Sequence, residues 1–163
     1  MKKVLIIVSI ALISNYCSIS ILGQNHNSML NQKEMVKQLV GSWQGDVTKD
    51  TTIIWKIGIN GTVMECHYKY VINGKTSLEG SQHWIYDPGI DKFKISGDET
   101  GMGVFVLWFI AKNKYVMLPD DDISSPEKAL YKIEGEFKSP DLFVQTTSAA
   151  NKTPVSQPYK RLK

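Results

Sequence analysis

The sequence predicts an all-β protein, an antiparallel up-and-down β-barrel of roughly 8–10 strands that follows a short N-terminal helix. Three observations predict this fold. Apolar and polar residues alternate through most of the chain after Gly41, as strands with one buried face require. Asn60-Gly61 and Asn73-Gly74 separate such runs, and this dipeptide is a strong hairpin signal. Helical spacing is confined to the stretch just before Gly41.

The N-terminus predicts an export signal. In "MKKVLIIVSI" two lysines precede an apolar run, which is the pattern of a secretory signal peptide. We assign residues 1–23 to this signal, with cleavage after Gly23, and expect an exported protein, periplasmic or secreted. A retained anchor and lipidation at Cys17 are the alternatives, and the bulky Tyr16 disfavours the second. After cleavage we expect no stable membrane insertion.

Composition excludes several classes of protein. A chain of 163 residues suits one domain with a substantial core. The signal contains two of the 19 Lys and Arg residues, so the remainder nearly balance the 16 Asp and Glu residues. We therefore expect no nucleic-acid partner, since no block of positive charge remains that could bind the phosphates of a nucleic acid. Cys66 would be the single cysteine left, so the core must hold the fold without an internal disulfide.

The elements follow in order along the chain. Residues 24–31 are polar and are predicted to form a flexible segment, and residues 32–163 are predicted to form the barrel domain. "NQKEMVKQLV" has apolar residues at helical spacing and predicts a short amphipathic helix that ends at Gly41. Strands are predicted in "TTIIWKI", "TVMECHYKYVI", "SQHWIY", "KFKI", "VFVLWFIA", "KYVML", "ALYKIEGEFK", "LFVQTT" and "YKRLK". The run "VFVLWFIA" is apolar on both faces.

The two Asn-Gly turns predict which residues face inward. If each turn has two loop residues, the flanking residues pair, and opposed residues share a face. Trp55 then opposes Cys66, and Cys66 opposes Ser81. The apolar alternation of three strands falls into this register without adjustment. It gives one inward face and a set of candidate ligand-binding residues: Ile53, Trp55, Ile57, Met64, Cys66, Tyr68, Ser81 and His83.

A short helix, then Gly41-Ser42-Trp43, then an antiparallel meander ending in "PYKRLK" resembles the calycin class, meaning the lipocalins and fatty-acid-binding proteins. The stretch "YDPGIDKFKISGDETGMG" is more similar to bacterial lipocalin-like domains than to the vertebrate carriers. The resemblance implies that Trp43 closes one end of the barrel and that Arg161 packs over its ring, both as structural residues. It also implies a ligand-binding interior without naming the ligand. The chain departs from typical lipocalins because it has no Thr-Asp-Tyr motif and no paired cysteines.

Three functional hypotheses follow. The first is an exported, non-enzymatic barrel that binds a small apolar or amphipathic ligand in its interior. The second is a haem-binding protein or small enzyme that uses His83, with Cys66 or Tyr68 assisting. The third is a protein-binding or inhibitory barrel. A closed metal site needs about four ligands, and the inward face offers only Cys66 and His83, so no metal site is predicted and the cofactor is unknown.

Two surface features have simpler explanations than a site. Asp120, Asp121 and Asp122 are consecutive, whereas calcium sites need oxygen ligands at spaced positions, so we interpret this acidic run as a solvated loop. The sequence also lacks a glycine-rich phosphate loop and a nucleophile elbow. It therefore names no catalytic residue.

Overall fold

The computed structural model describes residues 30–97 and 103–163. The predicted signal peptide, residues 1–23, and most of the polar segment 24–31 lie outside the described residues. Residues 98–102, within "SGDETGMG", also lie outside them. In the two described ranges, no helix is long and apolar enough to cross a membrane.

Ten antiparallel strands form one closed barrel, which confirms the predicted fold class. Each strand pairs with its neighbours in sequence, and the last strand pairs with the first. The strands are β1 (Gly41–Thr48), β2 (Thr51–Asn60), β3 (Val63–Ile72), β4 (Lys75–Asp87), β5 (Lys92–Gly97), β6 (Phe105–Ala111), β7 (Lys114–Pro119), β8 (Tyr131–Ser139), β9 (Leu142–Ala149) and β10 (Val155–Arg161). This arrangement is consistent with a calycin-like fold.

The predicted N-terminal helix is present and packs against one end of the barrel, here called the closed end. Helix α1 (Gln32–Met35) continues into a 3₁₀ turn (Val36–Leu39), and Asn31 caps it by accepting from the backbone N–H of Glu34. Val36 and Leu39 are buried in the main hydrophobic core. The opposite end, here called the open end, carries the turns that lead into β2, β4, β6, β8 and β10.

Arg161 and Trp43 make the contact that the resemblance implied. The guanidinium carbon of Arg161 lies 4.1 Å from the centre of the Trp43 ring. Its Nη1 donates to the Val40 carbonyl at 2.6 Å, and its Nη2 donates to the Gln38 carbonyl at 3.1 Å. Trp43 Nε1 donates to the Leu39 carbonyl at 2.8 Å. These bonds tie the helix to the first and last strands.

Gln32 closes a gap in the barrel wall that the sequence did not reveal. Pairing of β5 with β6 stops at Phe93 and Leu107, so Phe109 lies beyond the end of that ladder. The Gln32 amide takes the place of the missing strand: its Nε2 donates to the Phe109 carbonyl at 3.1 Å, and its Oε1 accepts from the Phe109 N–H at 2.7 Å. Gln32 is only 2% exposed, because this bidentate contact lies inside the closed end.

The first Asn-Gly turn is shifted from its predicted position. Asn60 pairs with Val63, so the loop residues are Gly61 and Thr62 rather than Asn60 and Gly61. Gly61 has φ +62°, and a positive φ at the first loop position is typical of a type II′ turn. The pairing therefore slides by two residues. Since side chains alternate with a period of two, every residue of β2 and β3 keeps its predicted face.

The second turn forms as predicted, but a bulge soon alters the register. Asn73 and Gly74 both have positive φ, and the adjacent pairs match the prediction. Between Tyr70 and Val71 the register then shifts by one residue, so that Cys66 opposes Gln82. A slip of one residue exchanges the two faces of a strand.

The predicted inward placement of Ser81 and His83 is therefore wrong. Ser81 pairs with His67 and His83 pairs with Glu65, both on the outer face of β3. Gln82 and Trp84 face inward in their place. The haem hypothesis loses its proposed iron ligand, because both histidines of the described chain lie on the outer face.

Strand β6, which lies in the run "VFVLWFIA" that is apolar on both faces, is buried on both faces. Outside the barrel, Val106, Trp108, Val116 and Leu118 form a second buried cluster. Ile90, Ile123 and Ala129 pack over it. The segment between β7 and β8 therefore covers this cluster, and the acidic run at Asp120–Asp122 lies in that covering segment as a 3₁₀ turn. The described residues hold no group of three or more His, Cys, Asp or Glu side chains suited to a metal ion.

Candidate functional site

The interior is filled at the closed end and hollow towards the open end. The hollow part is a cavity of about 620 Å³. Its lining is mostly aromatic and aliphatic, and it consists of Ile53, Trp55, Cys66, Tyr68, Tyr70, Ile72, Ser77, Leu78, Gln82, Trp84, Ile95, Phe105, Leu107, Tyr115, Met117, Tyr131, Ile133, Gln145, Thr147, Gln157 and Tyr159. A cavity of this size and character is typical of sites for small molecules.

The structure brings together part of the predicted ligand-binding set. Four of the eight residues line the cavity, namely Ile53, Trp55, Cys66 and Tyr68. Ile57 and Met64 share their face but are buried in the core without lining the cavity. Ser81 and His83 lie on the outer face, as described above. Of the other lining residues, six lie on β3 and β4 and eleven lie on β5–β10, for which the sequence supplied no register.

A run of aromatic rings forms the floor of the cavity. Trp43 packs edge-on against Phe143 with ring centres 4.8 Å apart. Phe143 stacks on Tyr159 at 4.8 Å, and Tyr159 stacks on Trp55 at 4.6 Å. Offset stacked and edge-to-face contacts both stabilise such clusters beyond simple burial of area. The floor therefore links the closed end rigidly to the cavity wall.

Three interior tyrosines each lie directly across from a glycine on the neighbouring strand. The pairs are Tyr68–Gly80, Tyr115–Gly135 and Tyr159–Gly45. A Cβ at any of these glycines would meet the ring of the opposing tyrosine. Because glycine has no side chain, the three tyrosine rings can lie flat against the barrel wall, and this keeps the cavity open.

None of the described residues that line the cavity carries a charge, and burial keeps three of them, Cys66, Tyr115 and Tyr159, neutral. Burial raises the pKa of the Cys66 thiol to about 12. Burial also raises the pKa values of the Tyr115 and Tyr159 hydroxyls well above their ordinary value. These groups remain protonated at neutral pH, so the site offers neutral donors and acceptors rather than a charged partner or a thiolate nucleophile.

Glutamine side chains supply much of the cavity's hydrogen-bonding capacity. Tyr115 donates its hydroxyl to Gln145 Oε1 at 3.3 Å. Trp84 Nε1 donates to Gln82 Oε1 at 3.3 Å. Gln157 pairs across the strands with Gln145, and its Nε2 is buried with no hydrogen-bond partner in residues 30–97 and 103–163. These amides could not be predicted from the sequence, because Gln145 and Gln157 lie on strands whose register the sequence did not define.

The buried thiol provides a direct check on the cavity wall. We expect Cys66 in the folded protein to react with iodoacetamide at pH 8 far more slowly than a peptide thiol, because it is 2% exposed and protonated. The rate is measured by mass spectrometry, with urea-unfolded protein as the control. Equal rates in the folded and unfolded protein would contradict the described register of β3.

The same thiol makes stability depend on pH. Its pKa rises on folding from 9.0 to about 12, so the folded state favours the protonated form. This contribution is fully present below pH 9 and is lost as pH rises from about 9 towards 12. Between pH 9 and 12, the free energy of unfolding of a Cys66→Val variant should accordingly fall less steeply than that of the unmodified protein. Urea titration at several pH values measures both.

Neither a comparison with protein-family models nor one with curated proteins finds a match for this chain. Inference about function therefore depends on the cavity itself.

Proposed function

We propose that the protein binds a small, neutral, mostly apolar ligand inside the barrel. The observation that carries this proposal is an open cavity of about 620 Å³, all of whose lining residues in the described part of the chain are uncharged. A filled interior would have favoured the third hypothesis, in which loops bind a protein. The hollow end instead favours the first.

The absence of charge in the lining restricts the ligand. A carboxylate moved from water into an apolar site without a paired cation loses far more hydration energy than it regains. Fatty acids and the propionates of haem therefore suit this cavity poorly. Apolar molecules with a neutral polar group, such as alcohols, aldehydes and ketones, suit it well.

We further propose that the protein is an exported, lipocalin-like carrier. The lysine-plus-apolar pattern of residues 1–23 supports export, and the stacked pair Trp43 and Arg161 supports the likeness to lipocalins. N-terminal sequencing of protein from its native host tests export, with a mature start near Gln24 as the expected result. A membrane fraction that retains residues 1–23 would contradict it.

Matched retinoids test the cavity and its neutrality together. Retinol and retinoate share one apolar body and differ at a single end, neutral in one and anionic in the other. We expect retinol to quench tryptophan emission saturably, because Trp55 and Trp84 line the cavity. We expect retinoate to bind at least about tenfold more weakly, since its charge has no partner inside. Equal affinity would contradict a neutral site, and no binding of either would count against this function.

A glycine substitution tests whether the ligand occupies this cavity. In Gly80→Ala, the new methyl group meets Tyr68 and must push its ring into the cavity, so retinol affinity should fall. Gly58→Ala is the matched control, because Gly58 is also a strand glycine but has open space at its Cβ position. Equal retinol affinity in the two variants would place the ligand elsewhere.

A further inference from the structure

We propose that Gln157 makes the cavity selective for ligands that carry a neutral carbonyl oxygen, as in a ketone, aldehyde, ester or amide. This inference rests on the proposed function and specifies the chemistry of its ligand. It starts from one observation: Gln157 Nε2 is buried in the cavity wall and donates to no atom of the described residues. Buried donors are almost always paired, because an unmet hydrogen bond destabilises the protein.

The surrounding wall explains why the donor has no acceptor. Nε2 lies against Gly45 of the adjoining strand, where a Cβ would be only 2.6 Å away. Glycine offers no side-chain acceptor at this point. The amide oxygen of the cross-strand neighbour, Gln145, already accepts from the Tyr115 hydroxyl. The described residues therefore leave the Nε2 donor of Gln157 unmatched in a mostly apolar chamber.

A ligand oxygen would supply the missing acceptor. Since Gln157 lines the cavity, rotation about the last bond of its side chain turns the NH₂ group from the wall towards a bound molecule. A carbonyl oxygen accepts such a bond and brings no net charge into a site that has no cation. A pure hydrocarbon fills the same space but leaves the donor unmet, so it binds more weakly.

An isosteric pair of probes measures this preference. Diphenylmethane and benzophenone have nearly the same shape, and only benzophenone has a carbonyl. With the full-length folded protein, we expect calorimetric or fluorescence titration to give benzophenone about tenfold higher affinity, as expected for one added buried hydrogen bond. In Gln157→Leu we expect the two affinities to become equal, mainly through weaker binding of benzophenone. In the control, Gln38→Leu, benzophenone should keep its advantage, because Gln38 donates to the Lys112 carbonyl at the closed end and does not line the cavity.

The outcomes separate this inference from the proposed function. If both probes bind the unmodified protein equally, or if Gln157→Leu keeps the preference, the role of Gln157 is overturned while cavity binding stands. If neither probe nor retinol binds, the proposed function itself fails. Ultraviolet irradiation of the benzophenone complex gives a second measurement that needs no variant. Cross-links mapped to β9 and β10 support the proposal, and cross-links confined to β4 and β5 overturn it.

Discussion

Replacing Trp43 with alanine is expected to lower the free energy of unfolding by about 3–5 kcal/mol, the range for removing a fully buried tryptophan. Trp43 is 0% exposed and touches Phe137 and Phe143, so truncation leaves a cavity that the packed barrel cannot collapse to fill. The variant also removes the ring beneath Arg161 and the bond from Nε1 to the Leu39 carbonyl. Urea titration followed by circular dichroism measures the loss.

Two controls show which part of this loss comes from the closed end. Trp55→Ala removes an equally large ring from the cavity wall, where one side of the ring already faces open space. Compared with Trp43→Ala, it should therefore lower the free energy of unfolding less and weaken ligand binding more. Arg161→Lys keeps the charge but loses the planar fork that bonds Val40 and Gln38, and should cost about 1–2 kcal/mol. A Trp43→Ala loss no larger than that of Trp55→Ala would contradict this account.

Replacing Gln32 with leucine is expected to cost about 2–4 kcal/mol, although leucine is similar in size and more apolar. The substitution leaves both the N–H and the carbonyl of Phe109 buried without partners, and each unsatisfied group costs about 1–3 kcal/mol. Chemical denaturation of the variant measures the loss. Hydrogen exchange should in addition show faster exchange at the Phe109 amide.

Gln38→Leu is the matched control for Gln32. Gln38 also donates from its Nε2 to a strand end, the Lys112 carbonyl, but that contact is exposed to water. Water replaces the lost donor there, so the cost should stay below about 1 kcal/mol. If the two variants lose equal stability, the bidentate contact of Gln32 is not what closes the wall.

The fold could be predicted because its signals are local. Alternation over single strands, hairpin dipeptides and a helical repeat before Gly41 each need only a short window of sequence. Together they predicted an antiparallel meander of roughly 8–10 strands, and the structure has ten. The shifted turn at Gly61 did not change which residues of β2 and β3 face inward. A slide of two residues preserves the faces, so Trp55, Cys66 and Tyr68 remained on the inner side.

The candidate site was less predictable because it depends on distant pairings. A single bulge beside Tyr70 exchanges the faces of β4, and nothing in the local sequence requires an extra residue there. That bulge moves His83 outward and brings Trp84 inward. The residues most important to the proposed chemistry, Gln145 and Gln157, could be placed in the cavity only from the pairing of β9 and β10 in the closed barrel. The covering of Trp108 on the outer side likewise depends on a loop, which alternation does not describe.

The pairing of β1 with β10 also has a consequence for how the chain folds. The hydrogen bond from Arg161 to Val40 joins residues 121 positions apart, so the contact that completes the barrel has one of the largest loop-closure costs in the chain. A ribosome-bound fragment that lacks β10 can form hairpins, but it cannot close the barrel wall. It also cannot bury Trp43 beneath the guanidinium of Arg161, because β10 contains that residue. Folding should therefore be slow and late, and it should begin only after nearly the whole chain has been synthesised. Such a chain stays without a closed barrel, and accessible to chaperones, for longer than a chain built from local contacts.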